Sequence, residues 1–407
     1  MVHTFKYLFC ALIIYIYIYS PALKPMSIGL DKVVFVFAFF YFFFSRSLGG
    51  YVKLFKKELL VLFLIALTSL FIFTIHNGLG IGDLVMYDVF LFIEILFVPY
   101  VFVNLFTYKW KFPLENVVIC NSIIAGVISV LLLINPTWAD IMKNQILRIP
   151  ELLTTNFSFR GFGLSDGLTF AYPVVQGLCA GFVICGFVGK KPVFYLGLIP
   201  IFISIFVNAR SGIIPIGVAI IVLVFHSSIS KTIKTALPIV IVLLLVTIFY
   251  KPNSNSQLSE SVEWGLSFFQ IMGDFLGGKD TENMDALSLT GSMVQFPHSL
   301  YAWILGEGIN IYGDKFLNEY GDSDIGYCIR TVYGGLMYMI LWLLLWMIMF
   351  NRLIKVNKKM ALVLFVSLIY LNWKSDFFVV TPSCRFFFFI YVCCIMDPSF
   401  MNVRSKR

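Results

Sequence analysis

Five arginines stand apart from the lysine-rich parts of the chain: Arg148, Arg160, Arg210, Arg330 and Arg385. All but Arg148 fall close to the predicted end of an apolar segment, where a group at a membrane surface would meet them. A guanidinium stays charged when partly desolvated, and its planar fork grips phosphate oxygens two at a time. The plainer reading is that each arginine snorkels to the surface or pairs with a nearby acid. Arg210 is the most informative, because Asn208-Ala209-Arg210-Ser211-Gly212 joins two apolar segments with almost no loop around the charge. Arg160 comes second: Arg160-Gly161-Phe162-Gly163 sets it among glycines that let backbone approach a ligand.

Two other residues could handle protons. His298 follows Pro297 in Gln295-Phe296-Pro297-His298-Ser299 and could serve as a base near neutral pH or donate a hydrogen bond to a leaving phosphate. A lone histidine is more often simply packed or solvated. Asp324, in Gly321-Asp322-Ser323-Asp324-Ile325-Gly326, either caps the helix that opens there or accepts a proton from a hydroxyl, with Arg330 about one turn later. Asp88 and Glu94 lie inside an apolar segment, where ionisable groups are costly and mark ion or proton paths. They are six residues apart, hence on different faces, and are the only charges expected to be buried.

The scaffold that must hold these groups follows from composition. The 407 residues are 59% apolar, 17% aromatic and 13% charged, with mean hydropathy +0.90. A soluble domain carries about a quarter charged residues, so a cytosolic enzyme and a disordered tail protein are both excluded. The chain reads as an all-α polytopic membrane protein, one integral domain over 1–407. Segments long enough to cross about 30 Å of hydrocarbon are predicted at 5–21, 29–45, 59–76, 84–107, 116–135, 169–188, 192–208, 212–227, 233–250, 328–350, 360–375 and 383–397, making about twelve helices. The first resembles a signal sequence but ends in Ser20-Pro21-Ala22-Leu23 without a small-x-small cleavage site, so it is kept as a span.

Placing the N-terminus in the cytoplasm puts eighteen of the thirty cations on the inner side, only four of them arginine, and three acids, Glu58, Glu115 and Asp397. Every inward turn is then basic, so the positive-inside rule places both termini in the cytoplasm. Two outer segments, 136–168 and 251–327, are too long to be turns, and loops of that length usually carry function. Within the second, 259–276 is expected to form an amphipathic surface helix, and 292–305 a further apolar helix that stops at Gly306-Glu307-Gly308. The eight cysteines lie mostly in apolar stretches without CxxC spacing and read as small hydrophobes. HExxH, Walker and metal-ligand patterns are missing, as is any basic run interleaved with aromatics that would bind nucleic acid.

Several features together resemble one family. They are a dozen helices, an Ala209-Arg210-Ser211-Gly212 turn opening a helix, a large outer loop late in the chain, Leu305-Gly306-Glu307-Gly308 closing a loop helix, and Ser323-Asp324-Ile325-Gly326-Tyr327 followed by Tyr333-Gly334-Gly335. This layout resembles the bacterial O-antigen polymerases, membrane glycosyltransferases related in architecture to the O-antigen ligases. The resemblance implies a metal-independent transferase without cofactor, working at the periplasmic face of the inner membrane. It would pass a growing glycan from undecaprenyl diphosphate to the next lipid-linked repeat unit. The implied roles are diphosphate binding for Arg210 and Arg160, with Arg330 and Arg385, and catalysis for His298 and Asp324. Implied partners are the undecaprenyl-diphosphate-linked donor and acceptor and membrane lipid, with a chain-length regulator protein as a further candidate. The chain lacks the His-Asn pair that ligases carry before the loop helix, and its Asp324-Ile325-Gly326-Tyr327 turn leans toward polymerase.

The chemistry makes physical sense without the name. A donor that already carries a diphosphate leaving group needs from the protein only positioning, cations on the departing charge and a base for the acceptor hydroxyl. The alternatives are an O-antigen ligase that moves the finished chain to lipid A core, and a polysaccharide flippase or other transporter. A flippase should place several cations in mid-membrane and has no need of a long outer loop.

Overall fold

The computed structural model describes residues 2–26, 29–45, 48–78, 82–147, 163–165, 170–188, 191–226, 294–312, 323–377, 379 and 381–401. Helices account for about four fifths of it. They are α1 (Val2–Tyr19), α2 (Leu30–Ser45), α3 (Leu48–Asn77), α4 (Asp83–Glu94), α5 (Phe97–Phe102), α6 (Leu114–Ile134), α7 (Pro136–Ile141), α8 (Ala171–Ile184), α9 (Pro192–Leu196), α10 (Leu198–Asn208), α11 (Ile213–His226), α12 (Leu300–Leu305), α13 (Gly326–Val356), α14 (Lys358–Lys374) and α15 (Pro382–Met396). The only β pairing among the described residues is an isolated antiparallel bridge between Leu23 and Leu147. Every predicted segment coincides with helix except 233–250, which lies outside the described residues, as does the amphipathic segment 259–276.

Four stretches are long and apolar enough to cross a membrane: Gly49–Asn77, Asp83–Lys109, Leu114–Ile134 and Gly326–Val356. The second runs through α4, α5 and a π-helical turn at Val103–Lys109. Shorter apolar helices run over His3–Tyr19, Ala171–Ile184, Pro192–Asn208, Ile213–His226 and Pro382–Met396. Sequences apolar on all sides fold as helices because lipid or core leaves backbone groups no partner but each other. Their ends obey local rules. Proline opens α7, α9 and α15, where a missing N–H costs nothing. Asn357 caps α14 by accepting from the Met360 N–H (3.1 Å), and Ser299 caps α12 by accepting from Ala302 (3.1 Å).

That last cap corrects the expectation of a loop helix over 292–305. Pro297 and Ser299 delay its start to Leu300, and it ends at Gly306, whose φ of +74° no other residue adopts cheaply. A second correction concerns Glu58, expected in an inner turn. The third helix begins at Leu48, so Glu58 lies within it and is fully buried.

Ends that belong together meet. Lys6 lies over Trp110 (5.5 Å), Lys109 over Tyr41 (5.7 Å), the Tyr108 hydroxyl donates to the Met396 carbonyl, and Lys359 Nζ donates to His226 O (3.2 Å). The start of α1 and the end of α15 therefore share one end of the molecule with these lysines, here called the basic end. The starts of α2, α4, α13 and α15 point the other way, to the far end. In the middle, α13 packs on α3, α14, α12 and α15, while α8 packs on α10, α11 and α15.

Candidate functional site

Toward the far end, buried charge is arranged in two layers. Arg330 stands one turn into α13 and is completely buried. Its Nε donates to Asp376 Oδ2 (2.9 Å), just past α14, and its Nη1 donates to Asp88 Oδ1 on α4 (3.3 Å) and to the Tyr338 hydroxyl (2.9 Å). The Tyr338 hydroxyl in turn donates to Asp88 Oδ2 (2.7 Å), closing a ring of three groups. Beside it, the Tyr333 hydroxyl donates to the Ser69 carbonyl (3.0 Å) and meets Ser69 Oγ (2.9 Å), fixing α13 on α3.

Arg385 stands one turn into α15, and only 1% of it is exposed. Its Nη1 donates to Asp31 Oδ2 at the start of α2 (3.1 Å), while Asp31 Oδ1 accepts from Ser20 Oγ (2.9 Å). Lys32 Nζ reaches both Asp31 (3.1 Å) and Glu94 Oε2 (2.6 Å) and lies over the Phe90 ring (4.3 Å). Two acids and two bases make this layer formally neutral, whereas Arg330 with Asp88 and Asp376 carries one excess negative charge. Cys384 lies within electrostatic range of Arg385, Arg330, Asp376 and Glu94, so the layers adjoin.

Their depth follows from α4. At about 1.5 Å of rise per residue, Asp88 lies roughly 8 Å and Glu94 roughly 16 Å along from Asp83. Glu94 is thus near the middle of the Asp83–Lys109 span, and the starts of α2 and α15, which reach it through Lys32, Asp31 and Arg385, begin at that depth. Charges so placed survive only when paired and hydrogen-bonded, and these are.

The remaining predicted residues are distributed around this core. Asp324 is exposed just before α13, where Ile325 occupies the cap position without a side-chain bond and Ser323 Oγ accepts from the Ile325 N–H (3.2 Å). His298 is exposed, two residues ahead of α12. Arg210 opens the 3-10 turn Arg210–Gly212, whose glycine serves helix packing. A Cβ on Gly212 would stand 2.4 Å from the Pro173 carbonyl, and one on Gly177 would stand 2.0 Å from the Gly212 carbonyl. The turn is therefore seated directly on α8. Arg160 lies outside the described residues.

Two motifs singled out in the sequence meet face to face. The Glu307 N–H donates to Val332 O (2.8 Å) and the Gly308 N–H to Tyr333 O (2.9 Å). A Cβ on Gly306 would lie 2.2 Å from the Tyr333 carbonyl, and Gly335, at φ +63°, faces the Ile304 carbonyl. The returning loop is thereby locked backbone to backbone onto α13, close to the Arg330 layer, and it breaks the helical φ/ψ of α13 at Gly335.

The expectation that only acids are buried is corrected, since Arg330 and Arg385 are buried with them. Sequence reasoning also missed Asp31, Lys32, Asp376 and Tyr338. Asp31 and Lys32 sit beside an apolar stretch and resemble an ordinary helix start, and Asp376 resembles a solvated loop residue. Fold and site together define a helical protein with apolar spans and paired charges in its interior. No protein-family model and no curated protein matches the chain.

Proposed function

We propose that this protein is an O-antigen polymerase of the bacterial inner membrane, with about twelve spans and its basic end, bearing both termini, in the cytoplasm. It joins undecaprenyl-diphosphate-linked repeat units at the periplasmic face, which is then the far end. The observation that supports this reading most is the glycine-locked return of the late loop. It sets the segment carrying His298 and Glu307 on α13, close to a layer built around Arg330. Catalysis in this reading needs a positioned acceptor hydroxyl, a proton acceptor and cations for the departing diphosphate. His298 and Asp324 are the candidate proton acceptors, and Arg210 and Arg160 are the candidate phosphate ligands. Arg330 and Arg385 would join them by exchanging a carboxylate for a phosphate, since the guanidinium fork fits both.

A flippase or other transporter is the second reading, favoured by the buried Arg330 and Arg385 and the half-buried Lys32 with their four acids. The two readings part on the lipopolysaccharide ladder of cells lacking the gene, restored with wild type or Arg210→Ala. A polymerase leaves one repeat unit on the lipid core, lost long chains return with wild type, and Arg210→Ala fails to restore them. Loss of even the single repeat rejects polymerisation and points to flipping or ligation.

A further inference from the structure

We propose that α12 is an in-plane helix seated among the lipids of the far-end leaflet, so that the late loop is held by the bilayer as well as by α13. The helix turns one face outward: Leu300, Tyr301 and Ile304 are exposed, Leu300 at 78%, while Ala302 is buried on the opposite side. From Ser292 to Gly306 the chain has no Asp, Glu, Lys or Arg, so the outward face has no charge to solvate it. The aromatic pair Phe296 and Trp303, stacked with centroids 5.4 Å apart, extends the same apolar surface.

Depth decides what covers this face. The Ile304 carbonyl rests on Gly335, about 13 Å along α13 from Gly326 at 1.5 Å per residue, and the Tyr301 ring meets His76 in the last turn of α3. The helix therefore lies beside the spans, not beyond their ends. The residues next to its two anchors, Ile75 and Leu336, are themselves exposed and apolar, and only a third of the most apolar stretch of the α3 span is buried. The outward face of α12 thus continues a surface that lipid must cover. Amphipathic tyrosine at such a level suits the boundary between headgroups and acyl chains. This inference rests on the apolar spans alone and holds whichever reaction the protein carries out.

The test uses the full chain in phosphatidylcholine vesicles, with Tyr301→Cys carrying a bimane fluorophore and the signal of identically treated wild type subtracted for its native cysteines. Quenching by doxyl-labelled lipid about threefold stronger than by iodide is expected for a side chain at the acyl boundary. Strong iodide quenching with none from doxyl lipid overturns the proposal, and its relief by added glycan would make the face a glycan platform instead. Leu300→Cys repeats the test on the same face. Should neither variant fold, hydroxyl-radical footprinting of wild type decides: Leu300 and Tyr301 stay unmodified in vesicles if lipid covers them and are oxidised if water does.

Discussion

Arg330 and Arg352 ride on the same helix, α13, and each reaches a carboxylate on a neighbouring helix, yet their settings differ. Arg352, near the basic end, keeps 28% of its side chain exposed while it donates to Glu58 Oε1 (2.5 Å) and to the Leu54 carbonyl (3.0 Å). The Tyr391 hydroxyl shares the same Glu58 oxygen (2.5 Å). Arg330 has no exposure and answers two carboxylates at once. The first pair ties three helices together at a place water can reach. The second concentrates charge where water cannot reach, and the Arg385 layer lies beside it with Lys32 partly exposed at its edge. Among the described residues, the basic end collects lysines near its surface and the far end draws arginines inside.

Removing the buried cation should do the greatest damage. Arg330→Met removes the cation that Asp88 and Asp376 share and should cost about 3–5 kcal/mol, read as a lower thermal midpoint in detergent. Adding Asp88→Asn to that variant should recover part of the loss. Arg385→Met should cost about 3 kcal/mol, because Lys32 still pairs with both Asp31 and Glu94 and one excess negative charge is left. Arg352→Met should cost less, about 1.5–3 kcal/mol, since the Tyr391 hydroxyl still donates to Glu58. If it destabilises as much as Arg330→Met, the contrast between the two ends collapses. Gly335→Ala forces a Cβ against the Ile304 carbonyl at positive φ and should cost about 1–3 kcal/mol. Limited proteolysis should then cut faster near residues 306–312, sharpening the claim that α12 is locked to α13. Tyr391→Phe, which removes one of two donors to Glu58, should cost about 1 kcal/mol and is the smallest of the set.

The candidate site was legible only in outline. Asp88 and Glu94 drew notice because a charge inside an apolar run stands out, and Arg330 and Arg385 because they flank such runs. The glycine motifs at 306–308 and 334–335 were visible as motifs, but nothing in their spelling says that they touch. Asp31, Asp376 and Glu58 were unreadable because each sits at a segment boundary where a solvated charge is the ordinary expectation.

What the sequence determined by itself was helix, its approximate limits and the basic end. Apolar runs leave the backbone no other partner, while proline, asparagine, serine and glycine at their edges set most starts and stops, α3 and α12 excepted. What only the tertiary structure decided was which charges lie inside and with whom. Arg385 finds Asp31 across 354 residues, Arg352 finds Glu58 across 294 and Arg330 finds Asp88 across 242. Pairings at that range leave no local trace, because they depend on the depth at which one helix starts beside another.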